Sequence, residues 1–305
     1  MEKFTTILWI MYLQSAIYRA EEQPMSVQIP IMNEVKSRII GGSEVTPHSY
    51  PFQVHIKMFN KISNVASCGG SLISKKIVLT AAHCLDGRPS LVAIKLGKHV
   101  FSKYEKSEKL YFTSTYRSHG GYYGKECKDD IALVQLNEDV DLDGETVSTV
   151  ELARDPTKLY VDEQATIVGW GMTDSQAQSP ELRSVDVKVL DQHGCVFQTY
   201  SKIYPTQICT SGAGPKGACV GDSGGAVLVD GVQVGIVSCL KLHSEEGDTR
   251  EHCMSGLPTI HTRVAMYKDW IDRALSDPGF FNKGCTKGSN IIFVLCDIFI
   301  LLAHF

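Results

Sequence analysis

The chain is expected to fold as an all-β protein closed by one C-terminal helix. Three observations predict this. From Ile39 onward, short apolar stretches alternate with turns rich in Gly, Pro and Asp, the cadence of antiparallel strands. No strand–helix–strand rhythm and no internal repeat breaks that cadence. Helical periodicity is clear in one place, Val264–Leu275, where Val264, Tyr267, Ile271 and Leu275 recur at spacings of three and four with Trp270 beside them. A chain of 305 residues with 43% hydrophobic content can bury a sizeable core, and all-β units of roughly 200–250 residues are common as single domains.

The elements follow in order. Residues 1–20 carry one early lysine, Lys3, and then an apolar run from Phe4 to Leu13; the run is too short to span a bilayer and reads as a signal peptide. Residues 21–38 are polar, lack cysteine, carry Pro24 and Pro30, and end in Ser37-Arg38, as a short propeptide would. Within the globular part, residues 39–276, the stretches Lys76–Thr80, Ala165–Val168 and Ala226–Val229 read as strands. Residues 277–305 form a C-terminal extension whose last stretch, Ile291–Phe305, is apolar but interrupted by Asp297 and His304. Fifteen residues are short for a span, and a charge near its centre costs about 2.5–3.5 kcal/mol on insertion scales. Two readings of the tail stay open: a lipid-anchor signal behind the small-residue cluster Gly284–Asn290, or a tail that is frayed or packed on the barrel.

Ten cysteines point to an oxidising compartment, hence to a secreted protein. The net charge of −4 gives no reason to expect a nucleic-acid partner. No Asn-x-Ser/Thr sequon is present, so N-glycosylation is not expected.

Three motifs carry chemistry. Leu79-Thr80-Ala81-Ala82-His83-Cys84 comes first, Asp129-Asp130-Ile131-Ala132-Leu133 second and Gly221-Asp222-Ser223-Gly224-Gly225 third. A serine hydroxyl is a poor nucleophile at neutral pH; it needs a base in hydrogen-bond reach, and the base needs an orienting group. A serine, a histidine and an aspartate supply those roles. By spacing alone either Asp129 or Asp130 could be the orienting carboxylate.

With this order of His, Asp and Ser, the chain resembles the trypsin/chymotrypsin family of secreted serine endopeptidases. The resemblance runs from about Ile39 to about Leu275 and includes Ile39-Ile40-Gly41-Gly42, Tyr50-Pro51-Phe52-Gln53-Val54, Cys68-Gly69-Gly70-Ser71-Leu72 and Gly169-Trp170-Gly171. It implies two six-stranded antiparallel β-barrels with the active site between them. It also implies Ser223 as nucleophile, His83 as base and Asp130, in register before Ile131-Ala132-Leu133, as orienting acid. The amides of Gly221 and Ser223 would form the oxyanion hole. Activation would cut Arg38–Ile39 by an arginine-specific protease, freeing an Ile39 amine to pair with Asp222, whose buried carboxylate is costly without a partner. Polypeptide substrates and protein protease inhibitors are the implied partners, the default state is a monomer, and a membrane is involved only if the tail is an anchor signal.

The same register places Gly217 at the base of the specificity pocket, where trypsin-like members carry an aspartate. Thr259 and Leu240 would form its walls, with Ser238 among the substrate-binding positions. No acid at the base argues against cleavage after Lys or Arg. Bulky walls favour small or medium apolar residues, with a chymotrypsin-like preference kept open by the long segment 240–252. Three disulfides follow from resemblance: Cys68–Cys84, Cys195–Cys209 and Cys219–Cys253. Cys127 and Cys239 stand at positions that neighbour each other in the family fold, which suggests a fourth bridge; for Cys285 and Cys296 two readings stay open, a pair with each other or separation if the tail is removed. No cofactor is expected. Metal binding is not expected either: Leu96-Gly97 is followed by Lys98, a cation among the acids Glu105 and Glu108 where the family's calcium loop begins with an acid. His48 and His119 are expected at the surface. Two alternatives compete with a secreted enzyme: an inactive binding protein on the same fold, and a protease held at the cell surface by its tail.

Overall fold

The computed structural model describes residues 42–60, 65–173, 178–212, 217–240, 253 and 255–282. Of Val65, Ala66 and Leu240 only the backbone is described. The expected signal peptide, propeptide, Arg38, Ile39, the segment 241–252, Cys285, Cys296 and the apolar tail all lie outside the described residues.

After a short β1 (Ser43–Glu44), the first half of the chain supplies β2 (Gln53–Phe59), β3 (Val65–Leu72), β4 (Ile77–Thr80) and β5 (Leu91–Leu96). Then come β6 (Lys109–Thr113), β7 (Thr115–Ser118) and β8 (Ala132–Gln135). Their order in the sheet is β6-β5-β2-β3-β4-β8-β7. Because β6 and β7 are two halves of one run bent at Ser114, the sheet's two edges are joined by a single segment and the sheet curls into a ring. Thr113 stabilises that corner: its hydroxyl donates to the Gln135 carbonyl at 2.7 Å and accepts the Thr115 N–H at 3.0 Å.

The second half supplies β9 (Gln164–Gly169), β10 (Arg183–Leu190), β11 (Gln207–Thr210), β12 (Ala226–Val229), β13 (Val232–Leu240) and β14 (Thr259–Arg263). These run β10-β11-β14-β13-β12-β9, and β9 pairs back onto β10, which closes six strands into a barrel. β1 adds to the Arg183–Ser184 end of β10. The two six-stranded antiparallel rings expected from the sequence are therefore present. Strand β10 illustrates why they form: Val185, Val187 and Val189 point inward while Asp186 and Lys188 are exposed, a period of two in β-branched residues.

The three predicted strands appear as β4, β9 and β12, within a residue at their ends. The predicted helix divides into a 3-10 turn, Val264–Tyr267, and an α-helix, Lys268–Ser276. A second helix was not expected: α1 (Gln192–Thr199), capped by Asp191, whose carboxylate accepts the Gly194 N–H at 2.6 Å. With eight residues and a glycine inside, it shows no convincing apolar period; the cap and the Cys195–Cys209 bridge to β11 hold it. The C-terminal helix, α2 (Lys268–Ser276), returns to the first barrel. Trp270, Ile271, Ala274, Phe280 and Phe281 join the core cluster formed by the first barrel's strands. A third apolar cluster, including Phe52, Val150, Val168, Trp170 and Leu228, takes residues from both barrels and seals their seam.

Candidate active site

Each of the three motifs ends a strand or begins one at the seam between the barrels. His83 opens a 3-10 turn, His83–Leu85, directly after β4. Asp130 stands before β8, and Ser223 lies in the turn that enters β12. The first two come from one barrel and the third from the other.

Asp130 settles which carboxylate meets the histidine. Its Oδ2 is 2.8 Å from His83 Nδ1 and its Oδ1 accepts the His83 backbone N–H at 2.8 Å. Ser238 Oγ donates to Asp130 Oδ2 at 2.5 Å, and Thr262 Oγ1 donates to the Asp130 carbonyl at 2.6 Å. Asp129, in contrast, turns away at φ +51° and accepts from the Tyr267 hydroxyl at 2.7 Å. Burial raises the cost of ionising Asp130, yet the His83 hydrogen bond and charge, with the Ser238 hydroxyl, more than compensate and hold its pKa below the ordinary value. For His83, burial disfavours the charged ring, but the Asp130 hydrogen bond and charge, then the Asp86 carboxylate, raise its pKa above the usual 6.5. An imidazole tied at Nδ1 to a buried carboxylate presents Nε2 as a base.

Ser223 is half-buried. Its carbonyl accepts the Gly69 N–H at 2.8 Å, so β3 of the first barrel grips the serine's turn. Cys84 Sγ lies 3.8 Å from both the Ser223 carbonyl oxygen and His83 Nε2, which places the Cys68–Cys84 bridge behind the pair. The amides of the serine turn alternate in use. Asp222 N–H goes to the Cys219 carbonyl, Gly224 N–H to Val237 and Gly225 N–H to Asp222. Among the described residues, the N–H groups of Gly221 and Ser223 have no acceptor. Two unsatisfied donors beside a serine hydroxyl are what a developing oxyanion requires. Gly221 allows the turn through φ +98°, a conformation costly for side-chain-bearing residues.

Asp222 is fully buried, and burial pushes its carboxyl up to about 6 despite backbone N–H donors from Cys219 and Gly171. Those donors sit at 3.0 Å and 2.8 Å. Gly171 must stay bare, because a Cβ there would lie 2.2 Å from Asp222 Oδ2.

The residues expected to form the specificity pocket meet in part. A Cβ on Gly217 would lie 3.6 Å from Thr259 Oγ1, so these two face each other, and Thr259 is buried. Leu240 is Thr259's register partner across β13 and β14. Ser238 sits where the β13–β14 register slips, between Val237 and Cys239, and that irregularity aims its hydroxyl at Asp130. Sequence reading assigned Ser238 to substrate binding and missed this contact; Thr262 was missed altogether. No local signal marks either, since both contacts span more than a hundred residues.

Among the described residues four disulfides are formed: Cys68–Cys84, Cys127–Cys239, Cys195–Cys209 and Cys219–Cys253. His48 and His119 are half-buried rather than freely exposed; His119 packs edge-on against Tyr267 and Trp270. Cys68, Cys84 and His83 lie within metal-ligand reach of one another, but the two sulfurs are bonded together and are not available as thiolates. Where the family's calcium loop would begin, Lys98 is buried, with Nζ 2.7 Å from Glu108 Oε2 and 2.7 Å from the Lys103 carbonyl. Glu105 Oε2 accepts the His99 and Val100 N–H groups at 2.6 Å and 2.9 Å. A protein ammonium therefore already neutralises Glu108, and these acids do not fit a calcium ion.

Two antiparallel barrels meeting at a serine, a carboxylate-bound histidine and two free amides define a hydrolase of the serine type. A model of the Trypsin family matches residues 39–271, and the chain belongs to that family. It is similar to a chymotrypsin of Phaedon cochleariae, 34% identical over 76% of this chain and 80% of that protein. It is likewise similar to brachyurin of Leptuca pugilator, 34% identical over 76% of this chain and 96% of that protein. Mast cell protease 3 of Ovis aries is 32% identical over 78% and 89%. The protein is a serine endopeptidase. Among the described residues no helix is long and apolar enough to cross a membrane.

Proposed function

We propose that Ser223 attacks the scissile carbonyl of a polypeptide while His83 Nε2 takes its proton and later passes it to the leaving amine. Asp130 fixes the ring's tautomer and stabilises the imidazolium, and the Gly221 and Ser223 amides receive the oxyanion. The observation that carries this reading is the join across the seam: a half-buried His83 held by a buried Asp130 on one barrel and, on the other, the serine turn with two amides that have no acceptor among the described residues. Losing one such donor costs about 3 kcal/mol of transition-state stabilisation.

The chain is made as a zymogen. Cleavage at Arg38–Ile39 by an arginine-specific protease frees the Ile39 ammonium, and Asp222 is its acceptor. A wholly buried carboxylate that, among the described residues, has two backbone donors and no cation beside it supports this. The cysteine-free propeptide then leaves. The protein is secreted, acts as a monomer and is open to protein protease inhibitors.

Substrates are cut after apolar residues. Gly217 facing Thr259 offers no negative charge to a Lys or Arg side chain, and a threonine narrows that wall. One methylene more or less changes selectivity by only about 1–3 kcal/mol, so the preference is broad among small and medium apolar residues. A peptide library digested by Arg38-processed protein, with Ser223→Ala as control, tests the reading. Cleavage after Ala, Val or Leu that vanishes in the variant is expected. Cleavage after Phe and Tyr would move the pocket walls. No Ser223-dependent cleavage would sink the assignment.

A further inference from the structure

The loop that carries Asp130 belongs to the first barrel by sequence, between β7 and β8, but much of its anchorage comes from the second half of the chain. Tyr204 donates its hydroxyl to Glu126. Gln207 Nε2 donates to the Cys127 carbonyl at 2.9 Å and to the Glu126 carbonyl at 3.3 Å. Tyr267 holds Asp129, and Thr262 and Ser238 hold Asp130. One covalent tie joins this set: Cys127 to Cys239, 112 residues apart. Cys127 is three residues before Asp130 and Cys239 is the residue after Ser238. The bridge thus ties together the two segments that carry the partners of the Ser238–Asp130 hydrogen bond.

Its setting also differs from that of the other three bridges. Cys68, Cys84, Cys195, Cys209, Cys219 and Cys253 are all buried, whereas Cys127 and Cys239 are both half-buried. A thiolate must reach a sulfur to exchange with it, so this pair is the first within reach.

We propose that the Cys127–Cys239 bridge is a cross-barrel positioning clamp that keeps Ser238 on Asp130 and Asp130 on His83, and that a dithiol opens it selectively and slows catalysis. The inference rests on the roles proposed above for Asp130 and His83. On opening, the sulfur–sulfur bond breaks, each cysteine gains one hydrogen and the dithiol closes to its own disulfide. With the clamp open, Ser238 and Asp130 sit on two barrels joined there only by hydrogen bonds. The carboxylate then spends less time on His83 Nδ1.

The test uses the processed full chain carrying Cys127→Ser and Cys239→Ser together, compared with the unaltered protein. The His83 ring is titrated by proton NMR, a readout that needs no activity, and kcat and KM are measured beside it. Asp130 and Asp86 are the charges that set this titration, Asp86 being held by the Tyr122 hydroxyl at 2.8 Å. The His83 midpoint is expected to fall by about 0.5–1 pH unit, and kcat roughly 3–10-fold with little change in KM. Ser238→Ala should shift the midpoint in the same direction, and adding it to the double variant should shift it less than it does alone. An unchanged midpoint and kcat, with only a lower melting temperature, would reduce the bridge to a structural brace and overturn the proposal. Should the double variant fail to fold, the native protein is treated briefly with dithiothreitol and iodoacetamide and mapped by mass spectrometry. Alkylation confined to Cys127 and Cys239, with the same two shifts, supports the clamp; alkylation of another pair first overturns its selective opening. Failure of the catalytic reading would appear separately, as hydrolysis that does not depend on Ser223.

Discussion

At the scale of single residues, the site is a set of oriented donors around two carboxylates with opposite pKa displacements. Asp130 sits below its ordinary value and stays ionised; Asp222 is raised because burial dominates. Replacing Asp130 by Asn keeps the shape but loses the acceptor that selects the His83 tautomer. We expect kcat to fall by about 10⁴-fold with an unchanged circular dichroism spectrum, and the acid limb of kcat/KM to move to lower pH. The sign follows from His83, whose pKa is held above 6.5 by Asp130 against the effect of burial. A fall of less than tenfold would mean that another group orients the ring. Gly171→Ala tests the second carboxylate: its Cβ, 2.2 Å from Asp222 Oδ2, must displace a buried carboxyl, so the expected outcome is a destabilisation of several kcal/mol in urea melts. The His83–Asp130 pair and the place of Ser223 in the turn before β12 were legible because each residue lies in a run of recognisable neighbours. Ser238 and Thr262 were not, since a lone hydroxyl residue acquires its partner only when β13 and β14 are laid beside the Asp130 loop.

At the scale of elements, the C-terminal helix belongs with the first barrel although it follows the second in sequence. Trp270 packs edge-on against His119 and Phe280, and Arg117 lies 4.5 Å over the Phe280 ring while its guanidinium donates to the Phe280 carbonyl. The helix therefore straps the segment after the second barrel onto the first. Trp270→Ala should cost about 3–5 kcal/mol and lower the urea midpoint of the whole domain in one transition. Two resolved transitions, with the first barrel melting alone, would show that the strap does not couple the halves. The helix itself was legible from its period of three and four, while its docking site was not, because an amphipathic face states that something must cover it and not what does. Helix α1 was missed for the opposite reason: its stability comes from the Asp191 cap and a disulfide rather than from an apolar stripe. Barrel closure lay between these cases. Alternating valines in β10 announce a strand, but the bend at Ser114 that lets one run pair with both ends of a sheet is a property of tertiary pairing.

At the scale of the whole molecule, the proposed activation is an electrostatic change that pH should expose. In the unprocessed chain Asp222 has a folded-state pKa of about 6 against an ordinary 3.8. The folded protein then holds a proton that the unfolded chain releases, so stability declines as pH climbs from about 3.8 to about 6 and the loss is complete above that. A shift of this size corresponds to on the order of 3 kcal/mol. Cleavage after Arg38 reverses the sign. An Ile39 ammonium beside the carboxylate favours its charged form, drawing the pKa below the unfolded value. The contribution is then stabilising above the unfolded pKa and is lost as pH falls through the folded one. Melting temperatures of the processed and unprocessed proteins should therefore differ most near pH 7, with the processed form higher, and the gap should narrow as pH falls towards 4, closing only below the lowered pKa of the paired carboxylate. The two curves would also approach at high pH, where the amine gives up its proton. A difference that stays constant from pH 4 to pH 7 would mean that the new terminus does not reach Asp222. In that case the buried carboxylate would be ionised at neutral pH without the new ammonium beside it, and the ordering of the serine turn would have to come from the Gly171 and Cys219 amides and the Cys219–Cys253 bridge.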